Sequence, residues 1–292
     1  MEKKEKELYQ GKKIQLPTRY NYVEVYLTNR CLFSCSYCIN SDDFKQQDLR
    51  ELTGEEWTKG LNRIQFGEVP ITLGGGEPSL HEDFYKIINN LEQPVDLLTN
   101  LTFDVSEFMH RVKPSSFTRS EIENYHSIRA SYHPGQTAEA EIIEKARTLQ
   151  DGGFNIGIFG VSHPHFINEN MKLAFNATKR GVHFYLKDYL GYVGEKLFGY
   201  YKYPEGLDGV EKKCLCRTKE LLIAPDGDIH RCHRDLYNHE NPLGNILDED
   251  LTLEDKFREC DEFGECNFCD LKFKVNRFLN RVDCQVEIKD IK

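Results

Sequence analysis

Val23-Glu24-Val25-Tyr26-Leu27, followed three residues later by Cys31-Leu32-Phe33-Ser34-Cys35-Ser36-Tyr37-Cys38, sets the reading of this chain. The first five residues are β-branched and aromatic types in the main, which predicts a short strand. The cysteine triplet then falls in the loop past the strand's C-terminal end, where α/β folds hold their ligands. Three thiolates so close together can face one centre, and the softness of sulfur selects iron–sulfur or zinc. Structural zinc sites prefer four ligands built from paired knuckles. This triplet stands alone, with no further cysteine before Cys214. Three ligands on a four-iron cluster leave one iron open to a substrate or cofactor.

Outward from this stretch, strand-like and helix-like segments alternate. Thr53-Gly54-Glu55-Glu56 is a capping box opening a helix toward Gln65. Residues 69–73 predict a strand that runs into Gly74-Gly75-Gly76, and 81–91 place Phe84, Ile87, Ile88 and Leu91 at helical spacing. Further strands are expected at 95–99, 127–132, 155–161 and 182–186, with helices at 138–149 and 168–179. Such a rhythm gives βαβ units on a parallel sheet, about six of them. It breaks near Leu190. The expected organisation is a polar lead-in over 1–20, an α/β unit over 21–190 and a Gly-, Tyr- and Lys-rich linker over 191–213. A small cysteine-rich domain follows over 214–292, held by metal more than by apolar burial.

At 292 residues the chain accommodates one large domain with a small extension. Lys and Arg number 38 against 48 Asp and Glu, a net charge of −10 that disfavours phosphate backbones. No nucleic-acid partner is therefore expected, although a local basic patch can hold an anionic substrate. No apolar run approaches the roughly 18 residues of a membrane span. The charged start, Met1 to Glu7, has no apolar stretch behind it and is no secretory signal. The expected location is the cytoplasm, where cysteines stay reduced and serve metals or catalysis. The ten cysteines are grouped: three at 31–38, none from 39 to 213, and seven between Cys214 and Cys284. Two metal centres on two parts of the chain explain that gap.

The C-x3-C-x2-C spacing with Tyr37 before its last cysteine, together with Gly75-Gly76-Glu77-Pro78 after the second predicted strand, resembles the radical S-adenosylmethionine (SAM) enzymes. The resemblance implies a partial (β/α)6 barrel and a [4Fe–4S] cluster on Cys31, Cys35 and Cys38 whose open iron chelates SAM. Reductive cleavage of SAM then gives a 5′-deoxyadenosyl radical that takes a hydrogen atom from substrate. The residues suit those roles: Gly74, Gly75 and Gly76 let a ligand approach the backbone, and Tyr37 can cover an adenine face. Asn100 and Ser131, at the ends of the third and fourth strands, match positions of polar cofactor contacts in the family; ordinary strand-end turn residues are the alternative. Ile158-Phe159-Gly160-Val161 resembles part of the motif that packs the adenine. It departs by offering Ile156 where a Gly is expected and His163 where an acidic residue is expected.

In the C-terminal part, Pro225-Asp226-Gly227 between two apolar runs predicts a hairpin that draws its flanking cysteines together, and Cys266-Asn267-Phe268-Cys269 is a C-x2-C knuckle. The stretch from Cys214 through Gly227 to Cys232, C-x12-G-x4-C, resembles the SPASM and Twitch extensions that hold auxiliary iron–sulfur clusters. That resemblance implies one auxiliary [4Fe–4S] cluster on Cys214, Cys232, Cys266 and Cys269, with Cys216 as substitute. The later order, Cys260-x5-Cys266-x2-Cys269-x14-Cys284, departs from the full SPASM pattern, so a two-cluster arrangement and a zinc ribbon stay open, as do the roles of Cys260 and Cys284.

His133, His163 and Lys187 follow the fourth, fifth and sixth strands toward the open face of the barrel, where substrates bind. They are candidate substrate contacts or acid/base groups, with plain surface loop residues as the alternative. Lys272 to Arg281 is basic within an acidic chain: a solvated face, an anion site, or a dock for an acidic ferredoxin or flavodoxin donor. Relatives with such extensions modify ribosomal peptides or act on small molecules, aminosugars included. The winged-helix domain with which peptide modifiers commonly grip a leader is about 80 residues long, whereas 30 residues precede Cys31. A small-molecule substrate is expected, with a peptide substrate as the alternative. A non-catalytic iron–sulfur protein is the rival from another class, and Gly75-Gly76-Glu77-Pro78, which such a protein does not need, counts against it.

Overall fold

The computed structural model describes residues 12–40, 42–118, 125–276 and 279–291. Most of the polar lead-in, and Arg277 of the basic stretch, lie outside them. An eight-stranded sheet organises the molecule: β1 (Tyr22–Thr28), β2 (Ile71–Gly75), β3 (Val95–Thr99), β4 (Ile128–Ser131), β5 (Ile156–Val161), β6 (Phe184–Lys187), β7 (Glu220–Ile223) and β8 (Ile229–His230). Their order is β8-β7-β1-β2-β3-β4-β5-β6, and every neighbouring pair is parallel except β8 on β7. β1 to β6 form the partial barrel. The helices between them are α1 (Asp42–Gln46), α2 (Gly54–Asn62), α3 (Phe84–Asn90), α4 (Val105–Arg111), α5 (Glu139–Asp151) and α6 (Ile167–Lys179). Among the described residues no helix is long and apolar enough to cross a membrane.

Alternation along the strands sorts the side chains. Val23, Val25 and Leu27 of β1 enter the helix-side core with Trp57, Leu61 and Ile87, all fully buried. Each such side chain contributes roughly 1.5–3 kcal/mol on leaving water. The capping box at Thr53 forms as expected, with Thr53 Oγ1 accepting from Glu56 N while Glu56 accepts from Thr53 N, and it aims Trp57 inward. The opposite face of the strands is polar, with Glu24, Thr72, Asp96 and Arg129 all buried inside the barrel.

Two features differ from the expected organisation. The stretch read as a linker carries an antiparallel hairpin, Gly191–Val193 with Lys196–Phe198. Residues 220–230, read as part of the cysteine-rich extension, complete the main sheet instead: Leu221 pairs with Val23, so β7 covers the otherwise open edge of β1. The hairpin at Pro225-Asp226-Gly227 is present as β7–β8. Beyond it lie α7 (His233–Asn238) and α8 (Phe268–Leu271), and a three-stranded antiparallel sheet with Lys212–Thr218 between Arg258–Phe263 and Val286–Asp290.

Candidate cluster and cofactor site

Cys31, Cys35 and Cys38 face a cavity of about 460 Å³ at the C-terminal end of the barrel. None of them is in a disulfide. Cys31 Sγ accepts from Phe33 N at 3.4 Å and from Asn100 Nδ2 at 3.9 Å, so Asn100 reaches the triplet from the end of β3. Burial, then the mutual repulsion of the three thiols, raises Cys35 to about 11. Thiols this hard to ionise together lose their protons when a cluster supplies the positive charge. A triplet of soft donors with an adjoining cavity fits a cluster with one open position.

The glycine run closes one wall of that cavity. Gly76 packs so tightly that a Cβ would lie 2.1 Å from Arg30 O, and Gly75 adopts φ 115° with its carbonyl accepting from Asn40 Nδ2 at 3.0 Å. Both positions need glycine. Glu77 lies beside them but is fully engaged: it accepts from Ser79 N (3.2 Å), Ser79 Oγ (2.6 Å), Thr99 Oγ1 (2.8 Å) and Asn100 N (2.7 Å). Its carboxyl therefore braces the ends of β2 and β3 and sets Asn100 against Cys31. Glu77→Gln replaces an acceptor with a donor facing donors and is expected to lower stability by about 2 kcal/mol. A thermal melt, run with SAM-binding measurements on the reconstituted protein, checks this; an unchanged melting temperature contradicts the bracing role.

Tyr37 stacks between His133 (centroids 5.9 Å apart) and His163 (5.6 Å), and its hydroxyl lies 3.2 Å from His133 Nδ1. Burial, then Lys187, pulls His133 down to about 4, so its ring is neutral near pH 7. Ser131, His133 and Lys187 line the cavity. His163 backs Tyr37 and touches Tyr189 (4.5 Å). Ile158 does not face the cavity. It is fully buried in the helix-side core, because strand alternation turns Ile156 and Ile158 outward and Val161 inward. Pro78, itself buried, starts a 3-10 turn, and Gly74 lies over Glu24.

Residues 25–122 match the model of the Radical SAM superfamily. They form a radical SAM domain. Such domains use a [4Fe–4S] cluster and SAM, and Cys31, Cys35, Cys38 and the glycine wall are the residues that suit them. A curated relative, GTP 3′,8-cyclase of Campylobacter jejuni subsp. doylei, is 30% identical over 116 residues. That match covers 37% of this chain and 36% of the relative, so the chain spans about a third of its length. The fold is similar to that of Streptococcus suis SuiB bound to precursor peptide SuiA (TM-score 0.53, 14% identity, 80% of this chain and 63% of that one). It is also similar to native anSMEcpe with bound AdoMet (TM-score 0.54, 14% identity, 84% and 80%).

Outside the radical SAM domain a second set of cysteines assembles. Cys214 and Cys216, two apart on one strand, share a face, and Cys214 pairs across the sheet with Cys260. The sulfurs of Cys214, Cys216 and Cys260 all lie within 4.8 Å of one another, with 3.5 Å between Cys214 and Cys216. Such a triad can hold an auxiliary cluster. The hydrogen bond from Cys216, with Arg231 nearby, draws Cys260 down to about 6 and pushes Cys216 up. Cys232 and Cys266 line the same small cavity as Cys216 and Cys260, beside Arg231 and Arg234. Cys269 faces the large cavity instead, with Lys272 Nζ 3.7 Å from its sulfur, and Cys284 bonds backbone carbonyls. Cys260 is the member of the group that spacing alone did not assign; its signal is the strand pairing opposite Cys214.

Lys272 and Lys274 of the basic stretch also turn into the large cavity. Lys274 pairs with Glu220 and sits 3.5 Å over the Tyr22 ring, which removes it from any outward docking face.

Proposed function

We propose that this protein is a radical SAM enzyme acting on a C–H bond of a small polar molecule held in the barrel, with an auxiliary iron–sulfur centre on the C-terminal cysteines passing electrons. When bound, the cluster and SAM supply one-electron cleavage of a sulfonium and a carbon radical that takes a hydrogen atom. The chain's own residues provide the rest. Glu77 fixes the glycine wall, while Tyr37 and His133 form an aromatic wall beside the cysteines.

The observation that carries the substrate reading is the charged floor of the same cavity. Arg129 donates to Asp96 (3.2 Å) and Thr72 (3.3 Å), and Tyr125 donates to both Asp96 oxygens at 2.7 and 2.6 Å. Barrel interiors packed for stability are filled with branched apolar side chains, and buried charge is costly. Glu24 is 8% exposed, and its nearest cationic partner is His233 at 3.8 Å. Burial raises its carboxyl, but His233, Lys274 and Arg129 outweigh burial and hold it below the ordinary range. A charged acceptor at the base of the cavity suits hydrogen-bond donors of a polar substrate.

The test incubates reconstituted protein with SAM, dithionite and fractions of a cell extract. The low-molecular-mass fraction is expected to raise 5′-deoxyadenosine output, and Glu24→Gln to cut that stimulation about tenfold or more. Stimulation by the peptide fraction alone would overturn the small-molecule reading in favour of peptide modification.

A further inference from the structure

The basic stretch after the C-x2-C knuckle places one cation in the barrel cavity without an acidic partner. Lys272 is the C-cap of α8, between fully buried Leu271 and the strand Phe273–Asn276. The backbone on both sides is held: Lys202 N donates to Leu271 O at 2.8 Å, and Phe273 N to Tyr200 O at 2.8 Å. Lys272 lines the same cavity of about 460 Å³ as Cys31 and Glu24. Among the described residues no carboxylate reaches its ammonium, which meets only the Cys269 sulfur, at 3.7 Å.

The other lysines of this region are engaged differently. Lys212, Lys213, Lys219 and Lys274 each pair with a carboxylate. Inside the cavity Arg129 is compensated by Asp96. An ammonium carries three donors, and a thiol sulfur is a weak acceptor. Lys272 therefore keeps two donors and its charge for what enters the cavity. Acidic side chains outnumber basic ones in this chain by 48 to 38, yet none is set against this one.

The counterpart of Lys272 is Glu24. Glu24 lies 3.8 Å from His233, whose Nδ1 is 2.8 Å from Asp270 Oδ1, two residues before Lys272. Carboxylate and ammonium thus belong to neighbouring parts of one wall, and they do not pair with each other. Opposite charges kept apart in one cavity are complementary to a molecule that carries both. A single ammonium, a compact point charge, matches a carboxylate. A phosphate dianion calls for more positive charge than Lys272 supplies.

We propose that Lys272 is a specificity-determining residue that receives the carboxylate of the substrate while Glu24 receives its amine, which makes the substrate a small zwitterion of the amino-acid type. This rests on the small-molecule reading of the barrel cavity and narrows it.

The experiment equilibrates cluster-loaded protein with SAM and the low-molecular-mass fraction of a cell extract, without reductant. Mass spectrometry then identifies what ultrafiltration retains. A compound bearing both an amine and a carboxylate is expected beside SAM. Lys272→Gln is expected to lower its retention about tenfold or more, as loss of a charged hydrogen-bond partner does, and Lys272→Arg to restore most of it. Wild-type protein that retains no such compound, or only one lacking a carboxylate, overturns the proposal, and this arm needs no variant to fold. Equal retention by Lys272→Gln overturns it too. So does a parallel loss of SAM, which would reassign Lys272 to the cofactor. A retained compound without a carboxylate leaves the small-molecule reading standing, whereas stimulation by the peptide fraction alone removes that reading itself.

Discussion

Cys31→Ala is expected to bring reductive cleavage of SAM down to background while the protein keeps about half of its iron. Cys31 is one of three thiols offered to the cluster, and Asn100, braced through Glu77, is set against it. Loss of a mere supporting partner of a metal ligand costs about 10–100-fold, so loss of a ligand itself costs more. The C-terminal cysteines, gathered between the strands Lys212–Thr218 and Arg258–Phe263, do not share that loop. Two four-iron clusters predict about eight iron atoms per chain, falling to about four in the variant. A variant stripped of all iron contradicts independent centres.

The second large effect separates the C-terminal cysteines. Cys260→Ala is expected to lose the auxiliary iron, leaving 5′-deoxyadenosine in excess over product, since the substrate radical has lost its electron acceptor. Cys232→Ala is expected to behave alike, because Cys232 lines the same cavity as Cys216, Cys260 and Cys266. Cys269→Ala is expected to retain that iron, as its thiol faces the barrel cavity. Iron assay, 5′-deoxyadenosine and product yield, read on soluble protein, check all three. Retention of iron in Cys260→Ala, with loss in Cys269→Ala, would move the ligand set back to the hairpin-and-knuckle grouping that spacing suggests.

What the sequence made legible is what neighbours in the chain decide. The strand Val95–Thr99 and the helix from Thr53 follow from β-branched runs and a capping box, and both form. Cys31, Cys35 and Cys38 occupy one short loop, so their common orientation needs no long-range contact. Alternation along a strand shows which residues share a face but not which face is the lumen. Alternation alone therefore leaves Ile158 open to a cofactor-contact reading although it is core, and it does not mark the charged lumen of Glu24, Asp96 and Arg129. Cys260 required knowledge of a strand partner 46 residues away, opposite Cys214. The same holds for β7, whose parallel pairing with β1 joins positions about 200 residues apart, which a local periodicity cannot encode.

The most direct test of the account is the yield of 5′-deoxyadenosine and methionine from SAM by anaerobically reconstituted protein, with and without dithionite. The account predicts both products only with reductant, in equal amounts, and none from Cys31→Ala, Cys35→Ala or Cys38→Ala. Protein that fills the Cys31–Cys38 loop with zinc, or that carries the cluster yet forms no 5′-deoxyadenosine under reduction, would contradict it.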